Sequence, residues 1–131
     1  MIGLDTNILV RYFAQDDEKQ SARASEIIEK QLSKEQQGFI SSVVLVELVW
    51  TLRRAYQMEL LDIMGIIQGL INAQDLQLEH REEVWKAHQL VCAQGLDFAD
   101  ALLGTIHRNH GCDFTLTFDK KASKSEYFQA A

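Results

Sequence analysis

Proline is absent from the 131 residues, so no position is forced out of a helix, and punctuation falls to seven glycines and to capping side chains. Cysteine is scarce. Cys92 and Cys112 stand far apart, which excludes a disulfide framework and a CxxC zinc site and suits a reducing cytoplasm. No apolar run is long enough to span a bilayer; the greasiest, 39–50, is broken by Ser41, Ser42 and Glu47. Positive charge is in deficit, with 13 Lys and Arg against 19 Asp and Glu, a net charge of −6. Holding nucleic acid by bulk positive charge is therefore disfavoured. The opening Met1-Ile2-Gly3-Leu4-Asp5 has no basic stretch and an early acid, unlike a secretion signal. What remains is an ordinary globular composition, 47% apolar and 24% charged. One compact domain over 1–131 is the expectation.

Residues 1–4 form a short apolar run stopped by Asp5-Thr6-Asn7, a turn-prone trio able to cap a helix over 8–13. Asp16-Asp17 opens an amphipathic helix to about residue 32, with Ala24, Ile27, Ile28 and Leu32 on one side. A strand at 38–40 runs into Ser41-Ser42, which cap a pair of helices over 43–72 hinged near Gln57. Further along, the pattern predicts a strand at 76–78, helices at 82–94 and 98–110, a β-rich run at 112–118 and a helical tail over 120–128. Strands alternating with helices or helix pairs predict an α/β fold with a parallel sheet covered on both faces.

In such sheets ligands gather outside the carboxyl ends of the strands. Asp5 ends the first strand, and Asp119 directly follows 112–118. Glu47 lies in the second turn of the helix after 38–40, and Asp100 in the first turn of the helix before the last strand. Each acid also has an ordinary reading. Asp5 can be a helix cap, Asp119 a turn residue, and Asp97 and Asp100 acids placed against a helix dipole. Glu47 is the only polar residue of Val43-Val44-Leu45-Val46-Glu47-Leu48-Val49-Trp50, so a buried carboxylate is expected there; the alternative is a solvated stripe with Thr51 and Arg54. Four clustered carboxylates repel unless a cation compensates them. Oxygen-only ligands favour Mg²⁺ or Mn²⁺ over zinc. Such sites activate a water and stabilise a leaving oxygen in phosphodiester hydrolysis.

Competing motifs are missing. No GxxxxGK, GxGxxG, HExxH or nucleophile elbow occurs, and Ser41-Ser42 stand where a receiver domain needs its phospho-acceptor aspartate. His107 and His110 read as surface or helix-end residues.

Leu4-Asp5-Thr6-Asn7-Ile8-Leu9 resembles the opening motif of PIN-domain nucleases, and Ser42-Val43-Val44-Leu45-Val46-Glu47-Leu48 resembles their second. Asp97-Phe98-Ala99-Asp100-Ala101-Leu102 and Leu116-Thr117-Phe118-Asp119 resemble the third and fourth, in family order. The length and the helix pair between the second and third motifs are similar to the VapC branch, the toxins of toxin–antitoxin pairs. The resemblance implies a three-layer α/β fold whose central parallel sheet of four to five strands is flanked by helices. It implies a cytoplasmic, Mg²⁺- or Mn²⁺-dependent endoribonuclease that hydrolyses RNA, is usually a homodimer and is held inactive by a small antitoxin. Asp5 and Asp100 would be the main metal ligands, Glu47 and Asp119 would complete the acidic pocket, and Asn7 and Thr117 would support it. A housekeeping PIN nuclease without an antitoxin and a non-cleaving PIN-like binding domain are the alternatives. Two features stand outside the pattern. Asp97 is an extra acid, either a cap or a pocket residue, and the ending Tyr127-Phe128-Gln129-Ala130-Ala131 does not read as the family's closing strand.

Eight of the thirteen residues 59–71 are large and aliphatic or Met, more than one core stripe needs. The surplus predicts a groove for a partner's amphipathic helix, with Ile63, Ile67 and Leu70 partly on its exposed side, or else a wholly buried helix. An antitoxin seated there would extend a basic side chain, Arg above all, into the acidic pocket.

Overall fold

Three short parallel strands organise the first part of the chain in this computed structural model, which describes all of Met1–Ala131. They are β1 (Ile2–Gly3), β2 (Gly38–Ile40) and β3 (Leu76–Leu78), in the order β1-β2-β3. β1 and β2 are joined through α1 (Thr6–Ala14), α2 (Glu18–Glu26) and a π-helical turn, Ile27–Gln31; β2 and β3 through α3 (Ser42–Arg54) and α4 (Leu60–Asn72). Contacts divide the chain into two compact units, Met1–Arg81 and Glu82–Ala131, and these strands belong to the first.

Side-chain caps start the helices of this unit where the sequence offers them. Asp5, Asp17 and Ser41 accept backbone N–H groups at the starts of α1, α2 and α3. Gln57, at φ +54°, makes the hinge between α3 and α4. Leu9, Ile40, Leu45, Leu48, Leu52, Ile63, Met64 and Ile67 form its fully buried core. Gly38 is the tight point: a Cβ there would stand 2.9 Å from methyls of Leu4 and Leu32 and 3.1 Å from one of Leu76. A knot of polar groups joins two turns, with Arg11 donating to Asp16 and to the Tyr56 hydroxyl while Tyr56 donates to Asp16 at 2.6 Å.

The second unit holds α5 (Arg81–Gln94) from its second residue onward, α6 (Phe98–Asn109), β4 (Thr115–Thr117), a 3₁₀ turn (Ala122–Lys124) and β5 (Phe128–Ala130). Gly95 and Gly111, both at positive φ, end the two helices. β4 and β5 pair in parallel, with Thr115 opposite Phe128 and Thr117 opposite Ala130. α6 covers one side of this ladder, since the Phe128 ring occupies the space a Cβ on Gly104 would need, and His107 Nδ1 lies 2.8 Å from Thr115 Oγ1.

The fold is α/β, and every strand pairing is parallel, within a ladder of three strands and a separate ladder of two. The tail differs from the expected helix. After one 3₁₀ turn it becomes the closing strand, because the amide of Thr115 finds the carbonyl of Tyr127 and the amide of Ala131 that of Thr117. The β-rich run is likewise shorter than expected, with only Thr115–Thr117 paired. No helix is long and apolar enough to cross a membrane.

Candidate metal centre

Asp5 stands just past β1 as the N-cap of α1, its Oδ1 accepting the Thr6 amide at 2.8 Å. Cap and functional acid are thus compatible, since one carboxylate oxygen is used and the other is available. Thr6 is buried, and its Oγ1 donates to Glu47 Oε1 at 3.4 Å. Glu47 is exposed, not buried as its apolar neighbours suggested. The buried stripe of α3 is Leu45, Leu48, Val49 and Leu52; Glu47 shares the opposite face with Val43 and Trp50, which are themselves 68% and 60% exposed. Of the expected supporting residues, Asn7 is exposed on α1, where it lines a small depression with Lys19, Gln20 and Arg23.

The other two acids lie in the second unit. Asp97 caps α6, accepting the Asp100 amide at 3.1 Å. Burial pushes the Asp100 carboxyl above the ordinary carboxylate range, and the negative charges of Asp97 and Asp119 push it further. Asp97 is therefore both a cap and a charge that Asp100 senses. Asp119 follows β4; its amide donates to Thr117 Oγ1 at 3.0 Å and its Oδ1 accepts the Ala122 amide at 2.8 Å. Thr117 supports Asp119 through the backbone. The turn-acid reading of Asp119 is also correct, with one carboxylate oxygen left outside it.

Neither unit by itself gathers three His, Cys, Asp or Glu side chains in a metal-holding group. The donors that each offers are carboxylate oxygens, which suit a hard divalent ion. His107 is turned to Thr115, and His110 forms the C-cap of α6. A cation would relieve the like-charge repulsion that Asp100 bears, so the residues present fit such an ion.

These acids lie within a stretch, residues 2–126, that matches the family described as PIN domain. The chain belongs to the PIN domain family. It is also 23% identical over 121 residues to a VapC ribonuclease of Aquifex aeolicus (strain VF5), an overlap covering 92% of this PIN chain and 89% of the relative.

Sequence reasoning missed Thr6 as a link to Glu47, because a hydroxyl beside a capping aspartate reads first as part of the cap. It also placed the surface of α4 wrongly. Ile63, Ile67 and Leu70 are core residues of this PIN chain, and the open side of the helix is Leu61, Asp62, Gly65, Gly69 and Asn72. Along that side runs a groove of about 660 Å³ whose lining includes Tyr12, Phe13, Ile28 and Ile66, with Glu29, Asp62 and Asp75 as its acids. The glycine spacing, four residues apart on one helix, was the available signal.

Proposed function

We propose that this PIN domain is a Mg²⁺- or Mn²⁺-dependent endoribonuclease and the toxin of a toxin–antitoxin pair. The observation carrying this is a carboxylate, Asp100, whose charge is disfavoured by burial and by two neighbouring acids within a chain of this family. Asp5, Glu47, Asp100 and Asp119 are the proposed ligands, with Asp5 and Asp100 the main pair. The bound ion would supply charge neutralisation and lower the pKa of a water. The chain's own task is to orient the four carboxylates. Thr6 holds Glu47, the Ala122 amide holds Asp119, and Asp97 fixes the start of the helix that carries Asp100.

The groove along α4 supports the antitoxin part of the reading. Gly65 and Gly69 face open space, and each costs a helix up to about 1 kcal/mol relative to Ala. Their lack of a side chain keeps the groove wide, and its acids suit an amphipathic helix carrying Lys or Arg. The exposed Val43 and Trp50 of α3 support a homodimer, with a second copy covering them.

The deciding experiment is incubation of purified protein with a mixed RNA pool. Cleavage is expected with Mg²⁺ or Mn²⁺ and not in EDTA, and Asp5→Asn and Asp100→Asn variants are expected to be folded and nearly inactive. Cutting that persists in EDTA, or in both variants, overturns the mechanism. Growth arrest on expression, relieved by a co-expressed antitoxin, distinguishes a toxin from a housekeeping nuclease.

A further inference from the structure

Within the second unit, α6 covers one side of the β4–β5 ladder. Thr115 and Phe128 face α6, through the bond to His107 and the fit of the Phe128 ring at Gly104. Strand alternation puts Leu116 on the other side, and Phe114 and Phe118 adjoin the strand directly before and after it, Phe118 in a bend. All three are exposed, at 46% for Phe114, 62% for Leu116 and 93% for Phe118. Parallel strands ordinarily bury both faces, and three large, exposed apolar side chains at alternate positions mark a contact surface.

What suits this face follows from its neighbours. Phe118 immediately precedes Asp119, a proposed metal ligand, so whatever lies on the face leads into the candidate centre. Exposed Lys120 and Lys124 follow on the turn, while Asp113 and Asp119 stand at the two ends of the aromatic row. A chain of net charge −6 cannot draw RNA in by bulk attraction. Stacking of bases on aromatic rings supplies affinity without that attraction, because every base has a flat π-face. Bases within a duplex already have both faces stacked and cannot use such a platform.

We propose that Phe114, Leu116 and Phe118 form a stacking platform for unpaired bases of the RNA, with Phe118 bearing the base next to the cut. This inference rests on the nuclease reading above and says which side chains would hold an unpaired segment. The backbone of the bound strand then passes Lys120 and Lys124.

The test is fluorescence anisotropy with a short, labelled single-stranded RNA in EDTA, so that nothing is cut. Phe118→Ala is expected to weaken binding about tenfold, and Phe114→Ala to weaken it less, given that stacking on one aromatic ring contributes about five- to 150-fold. Phe118→Trp should restore affinity and Phe118→Leu should not, since an apolar contact without a ring would accept leucine. A duplex of the same sequence should bind weakly and independently of Phe118. Unchanged affinity in Phe118→Ala, full rescue by leucine, or equal binding of the duplex overturns the platform. So does light scattering in which Phe118→Ala turns a dimer into a monomer with RNA affinity intact, because a second copy then covers the face. If the parent protein cuts no RNA with any divalent ion yet binds it through Phe118, the nuclease reading fails and the platform stands. If cleavage is metal-dependent and Phe118→Ala leaves its KM unchanged, the platform alone fails.

Discussion

The buried hydroxyl of Thr6 donates to the Glu47 carboxylate at 3.4 Å, while the Thr6 amide donates to Asp5 at 2.8 Å. One small residue thus touches two proposed ligands that are far apart in sequence. Its hydroxyl costs little in burial because the carboxylate accepts its proton.

Thr6→Val keeps the shape of the side chain and removes that donor. Stability should change by no more than about 1 kcal/mol, since the bond is long and its partner is exposed. Metal-dependent cleavage should fall several-fold as Glu47 loses its anchor, and Thr6→Ser should preserve it. Melting curves and cleavage rates of the two variants check this; equal rates in all three proteins would show that Glu47 needs no anchor.

Asp100 gives a pH signature. Its folded carboxyl keeps its proton to higher pH than in the unfolded chain, so in that window the folded state binds more protons. Stability from this group is therefore present at low pH and declines as pH rises through the folded pKa. Asp100→Asn removes the decline. The metal-free variant should be more stable than the parent at neutral pH, with the two converging below the ordinary carboxylate range. Added Mg²⁺ should stabilise the parent more than the variant. Thermal melts across pH, with and without Mg²⁺, measure both effects.

Replacing Gly65 and Gly69 with alanine should raise stability by up to about 1 kcal/mol each, because the added methyls meet nothing and favour the helix. The same change narrows the groove, so antitoxin binding, measured by calorimetry, should weaken while cleavage of RNA is untouched. Unchanged binding would place the antitoxin elsewhere.

Gly38→Ala should cost about 1–3 kcal/mol, as overpacking does in a filled core, because the new methyl meets Leu4, Leu32 and Leu76 at about 3 Å. Denaturant melts of the metal-free protein check it. A loss of only a few tenths would mean that these leucines swing aside.

Much of the fold is legible from the order of strands and helices and from caps such as Asp5, Asp17, Ser41 and Asp97, whose short oxygens serve orphan amides wherever a helix begins. The positions of the proposed acids are legible by the same logic, since they follow strand ends and helix starts. Exposure was not legible. The apolar run suggested a buried Glu47 because Val43 and Trp50 were counted as core, whereas both are exposed. Phe128–Ala130 is too short to show alternation, and its pairing with β4 is decided by carbonyls that any sequence carries. On α4 the large residues were read as surplus, but Ile63, Ile67 and Leu70 are all needed inside.

The π-helical turn Ile27–Gln31 has a consequence of its own. There the backbone closes over five residues, with the Leu32 amide reaching back to the Ile27 carbonyl, so this stretch accommodates one residue more than an α-helix would. That extra residue sets the rotation at which Ile28 and Glu29 enter the groove and Leu32 enters the core beside Gly38. The length of this segment is constrained more tightly than its lettering. Exchanges among helix-forming side chains at Lys30 or Gln31 would be absorbed, whereas losing a single residue anywhere in the turn would let it tighten into an α-helix and rotate every later contact out of phase.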